Sequence, residues 1–187
     1  MAMSIFDKLK QGLDKATAAF GTGKETITIS ALPENLDELK ALPEATMDTP
    51  FKTAALSVCA LCAFAAEPSV GTEMLNFLRG PKGEMSPSDI SFLKDRFMDG
   101  HHYIIFSYFK GATPDNDYTP AEPFVLEISA GPHAYENEGY AKLDLVSGGA
   151  DSPRQIVLRR AGGGKWYLWD QFLLVGVREP KSQNPWA

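Results

Sequence analysis

Cysteine is almost missing from this chain: Cys59 and Cys62 are the only two among 187 residues. Two thiols in a chain of this length build no disulfide framework of the secreted kind, so a reducing, cytoplasmic setting is expected. Long hydrophobic runs are scarce as well. The longest, Ala54 to Ala66, is broken by Ser57 and falls well short of the roughly 20 apolar residues that cross a bilayer. It reads as a buried helix. The N-terminus carries no apolar stretch after a basic region and no small-residue cleavage site, which argues against export by a signal peptide. Positive charge is the third shortage, with 18 Lys and Arg against 24 Asp and Glu, a net charge of −6 and a pI near 5.1. Such a surface repels phosphate backbones, and the longest basic cluster is Arg159-Arg160, so no nucleic-acid partner is expected.

Histidine is equally thin. His101, His102 and His133 are the three in the chain, and none stands at H-x-x-x-H or H-E-x-x-H spacing. His101-His102 reads as a helix-to-strand junction, where neighbouring side chains point to opposite faces and cannot share one metal. Neither the G-x-x-x-x-G-K-[ST] phosphate loop nor the G-x-S-x-G nucleophile elbow is present. No catalytic residue, metal or cofactor is assigned on sequence grounds.

What is there is ordinary globular composition: 44% hydrophobic, 22% charged and 11% aromatic residues. Phe6, Leu9, Leu13, Ala16 and Phe20 fall on one stripe of an amphipathic helix. Lys8, Lys10, Lys15 and Lys24 against Asp7 and Asp14 give this segment a positive surplus on an acidic protein. Thr26 to Ile29 alternates like a short strand, and Pro33 to Leu42 reads as a brief helix. Asp48-Thr49-Pro50 caps a nearly all-apolar helix through Glu67; Pro68 stops it, a shorter helix follows to Gly80, and Ser86-Pro87-Ser88-Asp89 opens another. Beyond Gly100 the segments turn short, β-branched and aromatic, with strands expected near 102–109, 123–129, 140–146, 155–160 and 165–175. Helices first and strands after predict an α+β domain: N-terminal helices on one face of a mostly antiparallel sheet of about five strands. The glycine-rich link from Ala161 to Lys165 predicts a hairpin. Residues 1–24 form an arm, 25–178 the domain and 179–187 a polar tail whose two prolines exclude regular structure. Trp186 in that tail suggests docking on the domain or on a partner.

Four constellations invite a chemical reading. Cys59 and Cys62 have C-x-x-C spacing, but they sit mid-helix among apolar residues, where packing is the simpler role. The loop from Ser147 to Arg154 gathers glycines, hydroxyls, Asp151 and Arg154 and could receive an anion. The same residues are what a turn uses, with Asp151 or Ser152 bonding the backbone and Arg154 pairing with Asp151. The long connection from Lys110 to Glu122 carries Asp115, Asp117 and Tyr118 and is a candidate binding loop or lid, though it lacks an EF-hand pattern. The arm, through Phe6, Leu9, Leu13 and Phe20, is a candidate contact with its own domain, a second copy or a protein partner, with a membrane surface least favoured.

The phrases LPENLDELKALPEA, TPFKTAAL, FSYFKGATPDNDYTP, SGGADSPRQIVLRR, KWYLWDQFLL and NPWA together resemble an uncharacterised bacterial family of unknown function over about residues 27–187. The resemblance implies a bacterial, cytosolic protein and brings no activity or catalytic residues. The KWYLWDQ strand is also similar to cystatin-like α+β cones, a likeness of fold alone. The expected function is a non-enzymatic binding or scaffold module acting through protein contacts. Its rival is a small-molecule binder or enzyme with a pocket between helices and sheet, using His102, Tyr103, Tyr118, Asp151 and Arg154. A thiol redox protein is a third reading.

Overall fold

Alternating Thr and Ile residues make the first strand, β1 (Gly23–Ile29), which turns Ile27 and Ile29 inward and leaves Thr26 and Thr28 exposed. The structure, a computed structural model, describes residues 23–187 together with Ser4 and Asp7. The predicted amphipathic stripe of Phe6, Leu9, Leu13 and Phe20 lies outside the described residues.

Five helices follow β1. Helix α1 (Leu36–Ala41) is capped by the Asn35 side chain, which accepts from the Glu38 N–H at 2.9 Å. Helix α2 (Pro50–Ala66) starts as predicted, with Thr49 as the cap and Pro50 at its first position, and buries residues all round. Helix α3 (Pro68–Arg79) packs against it, and α4 (Pro87–Phe97) opens on a complete capping box between Ser86 and Asp89. That box holds the Asp89 carboxyl below its usual range, chiefly through the Ser86 N–H. The fifth, α5 (Tyr103–Phe106), is a single turn.

Helix α5 corrects the strand expected at 102–109. Only an isolated bridge, Phe109 to Leu126, joins that segment to the sheet. A short buried apolar run satisfies helix and strand patterns alike, so periodicity could not separate them. His101 and His102 accordingly sit in a turn ahead of α5 rather than at a helix-to-strand junction.

The remaining strands form a meander: β2 (Phe124–Ala130), β3 (Tyr140–Leu145), β4 (Arg154–Arg160) and β5 (Trp166–Gln171). The sheet is antiparallel and open, in the order β1-β2-β3-β4-β5, so β1 supplies the fifth strand. Alternate residues, among them Leu126, Ile128, Ala141, Leu143, Ile156, Leu158 and Leu168, face the helices and are buried. The 161–165 link is the predicted hairpin, closed by Ala161 N–H to the Lys165 carbonyl at 2.9 Å. β5 ends at Gln171, short of the expected 175, because Leu173 and Leu174 leave the sheet to bury themselves at its end. No helix among the described residues is long and apolar enough to cross a membrane.

Helices α2 and α3 touch backbone to backbone at Gly71. A Cβ there would lie 2.2 Å from Phe64 Cα. Gly71→Ala gains helix propensity but must push two helices apart, and overpacking of this kind costs about 1–3 kcal/mol. Urea unfolding of the variant is expected to show a lower midpoint at unchanged slope; an unchanged or higher midpoint would mean the contact yields freely.

Candidate functional site

The structure brings the 110–122 and 147–154 loops together at one end of the fold, and the chain from Leu173 to Gln183 runs between them. The Tyr103 and Tyr118 rings stack at 5.3 Å, and Tyr118 donates to the Arg178 carbonyl at 2.6 Å. Burial, opposed by Arg178, pushes the Tyr118 hydroxyl up to about 12. Tyr108 donates to the Leu173 carbonyl at 2.5 Å. The Ser107 and Ser147 hydroxyls share a bond of 2.8 Å, and the Gly148 N–H donates to the Ser107 carbonyl at 2.8 Å. Side chains would not fit here: a Cβ on Gly148 or Gly149 would stand 1.9 Å from the Ala112 carbonyl oxygen or the Tyr118 hydroxyl.

The charges in this cluster are spent on the same strap. Asp151 pairs with Arg178, not with Arg154 as expected. Arg154 instead donates to the carbonyls of Val175 at 2.9 Å, Gly176 at 2.8 Å and Ser152 at 2.7 Å. Asp115 pairs with Lys181, and Asp117 accepts from the Ser182 hydroxyl at 2.6 Å. The 110–122 connection contains a 3-10 turn at Pro114–Asn116, and the tail, expected to be irregular, contains another at Lys181–Gln183. His102 is exposed and meets Phe106 edge to face at 6.5 Å. Trp186 is 93% exposed, so it does not dock on its own domain. Seven of the eight candidate residues, His102 excepted, thus converge: Asp115, Asp117, Tyr118, Asp151 and Arg154 fasten the C-terminal strap, Ser147 bonds Ser107, and Tyr103 stacks on Tyr118.

Cys59 and Cys62 are free and buried on α2. Burial raises the Cys59 thiol to about 12 and also raises that of Cys62. Among the described residues no group of three or more His, Cys, Asp or Glu is placed to hold a metal.

A different place gathers cations and aromatic rings around an open groove. At the open edge of β5 lies a groove of about 380 Å³ lined by Arg79, Pro81 and Lys82, by Arg159 to Gly162, and by Tyr167 to Trp169. The 3-10 turn at Gly80–Lys82 can approach β5 because Gly80 has φ +47° and no side chain; a Cβ would sit 2.3 Å from the Tyr167 ring. Lys82 donates to the Trp169 carbonyl, and its Nζ stands 4.8 Å from the Trp169 ring centroid. Arg159 reaches the same ring at 4.6 Å and that of Tyr140 at 5.2 Å. Arg79 donates to the Gly83 carbonyl at 2.9 Å and meets Asp89 at 3.7 Å. Burial, with Arg79 nearby, lowers the pKa of Lys82, while Asp170 and Asp89 oppose the shift. Arg159 has no carboxylate partner among the described residues.

Sequence reasoning missed this groove. Its one visible signal was Arg159-Arg160, the longest basic cluster of an acidic chain. Pairing β4 with its neighbours would have placed Arg159 opposite Tyr140 and Tyr167.

Helices on one face of an open five-stranded antiparallel sheet, with cations gathered on aromatic rings at its edge, define the chain as an α+β domain. The chain belongs to the family described as Domain of unknown function (DUF6935), whose model matches residues 31–181. That span contains the groove and almost all of the fastened loop cluster. No curated protein and no solved structure matches the chain.

Two outcomes follow from the closed cluster and the buried thiols. Tyr118→Phe removes one hydrogen bond to the strap and is expected to lower stability by about 0.5–1.5 kcal/mol in urea unfolding. No change would mean that the strap is held without it. A thiol reagent added to the native protein is expected to modify neither cysteine until the protein unfolds; rapid native labelling would reopen the redox reading.

Proposed function

We propose that the chain is a binding module that works by contact, and that its contact site is the groove at the β5 edge. The observation that carries this reading is Arg159, held on two aromatic rings with no carboxylate among the described residues to neutralise it. The residues that looked reactive in the sequence support it by contrast. Ser147 bonds Ser107 and the Gly149 N–H, and the cysteines are held in their thiol form by burial. A groove of about 380 Å³ falls in the range of small-molecule sites, roughly 300–1,000 Å³. A bacterial cytosol is the setting proposed with it, supported by the two cysteines left free.

A protein contact through the N-terminal segment is a second part of the proposal. The stripe of Phe6, Leu9, Leu13 and Phe20 supports it, and so does the 93% exposure of Trp186.

The groove is tested by thermal unfolding of the full chain against a panel of small metabolites, beside Trp169→Ala. At a hundred times Kd a ligand stabilises by about 2.7 kcal/mol, which for a chain of this size raises Tm by roughly 5–10 °C. At least one compound is expected to do so and to lose its effect in the variant. No stabilising compound, equal stabilisation of both proteins, or chemical turnover of the compound would overturn the reading. For the arm, Leu9→Asp with Leu13→Asp in the full chain is expected to abolish self-association or partner binding in sedimentation velocity; unchanged assembly would refute it.

A further inference from the structure

Resting on the reading of the groove as the contact site, we infer that its ligand is a small multiply charged oxyanion of the phosphate-ester class, gripped by Lys82 and Arg159. Four cationic residues, Arg79, Lys82, Arg159 and Arg160, line one groove on a protein whose net charge is −6. Lys82 and Arg159 come from segments far apart in sequence. Both are nevertheless anchored to Trp169, at 4.8 and 4.6 Å from its ring centroid. Two positive charges are thus anchored to one ring, and an anion reaching both would offset them. Burial lowers the pKa of Lys82, and the neighbouring Arg79 lowers it further.

The chemistry of the heads narrows the class. A guanidinium offers a planar fork of N–H donors suited to two oxygens of one phosphate or carboxylate, and an ammonium adds a point charge. Several cations call for more than one negative charge on the ligand. The aromatic rings are engaged in holding these cations, and Tyr167 packs on Gly80, so the ligand is recognised through its charge rather than by stacking. The groove's size and the acidic remainder of the surface favour a free small molecule over a nucleic-acid backbone.

The experiment is calorimetric titration of the full chain with inorganic pyrophosphate at low ionic strength, with a single-stranded oligonucleotide as a second arm. Saturable pyrophosphate binding is expected. Charge-assisted hydrogen bonds of this kind carry about 1.5–3 kcal/mol, so Lys82→Gln and Arg159→Gln should each weaken binding by about tenfold or more. Lys110→Gln, at the other end of the fold, should leave it unchanged, and Lys82→Arg should retain it, which separates lost charge from lost folding. No saturable binding, equal weakening in all the Gln variants, or tighter binding of the oligonucleotide would overturn the proposal. A neutral metabolite that stabilises the native chain but not Trp169→Ala, with pyrophosphate inert, would overturn the anion and leave the groove as the contact site.

Discussion

The burial of α2 is the constraint on which the rest of the structure depends. From Pro50 to Cys62 every residue except Lys52 is buried, and the helix packs against all five strands as well as against α1, α3, α4 and α5. A helix with no solvent face must be covered on every side. The sheet supplies one wall and the other helices supply the rest. Its few polar groups are answered internally: the Thr53 hydroxyl donates to the Trp166 carbonyl at 2.9 Å and the Ser57 hydroxyl to the Thr53 carbonyl at 2.7 Å. The first of these ties α2 to the outer strand β5, and the Trp166 N–H reaches the Met47 carbonyl at 2.8 Å just ahead of the helix. Small residues along α2, Ala54, Ala55, Ser57, Cys59 and Ala60, let the neighbours come close. The cysteines belong to that set, as small core residues whose burial suppresses thiolate chemistry.

Fixing β5 against α2 leaves that strand's outer edge to be dealt with, since an open edge offers unpaired backbone groups to other chains. The fold covers part of it with the turn after α3, and Lys82 satisfies the Trp169 carbonyl. A lysine brought to an edge for that purpose carries its charge with it. Arg159 arrives on the neighbouring strand by register, and Trp169 provides a ring for both. The groove is thus a consequence of how the sheet is finished at one side, which is why residues from α3, β4 and β5 meet there without any sequence motif joining them.

Much of this was legible in the sequence, and the readable parts share a cause. Helices α2 and α4 were visible because Thr49-Pro50 and Ser86-Pro87 are local signals whose chemistry acts within a single turn. Strands β2 to β4 were visible because one buried face forces alternation. The segment 103–109 was misread because burial on all sides erases the period that separates helix from strand, and β5 was drawn too long because Phe172 to Val175 stay apolar after leaving the sheet. Partners distant in sequence were the hardest part. Asp151 chose Arg178 over Arg154, and Lys82 met Trp169, through contacts that span dozens of residues and leave no spacing to read.

The two polar clusters of this fold differ in one respect that bears on function. At the strap, six of the residues named in the sequence have found their complement: carbonyls for Arg154 and Tyr118, cations for Asp115 and Asp151, a hydroxyl for Ser147 and Asp117. A ligand there would have to displace bonds already made, and the gain would be small, because exchanging one satisfied partner for another returns little net free energy. At the groove the complement is incomplete. Among the described residues Arg159 is balanced by the quadrupoles of two rings and by no carboxylate, an attraction of about 0.5–2 kcal/mol that leaves its charge in place. The cost of collecting these cations has been met by folding, ahead of any encounter. An anion reaching Arg159 would meet a charge with no carboxylate pair to break among the described residues, and this difference, rather than any resemblance to a reactive motif, is what supports the proposal of a contact surface at the sheet edge.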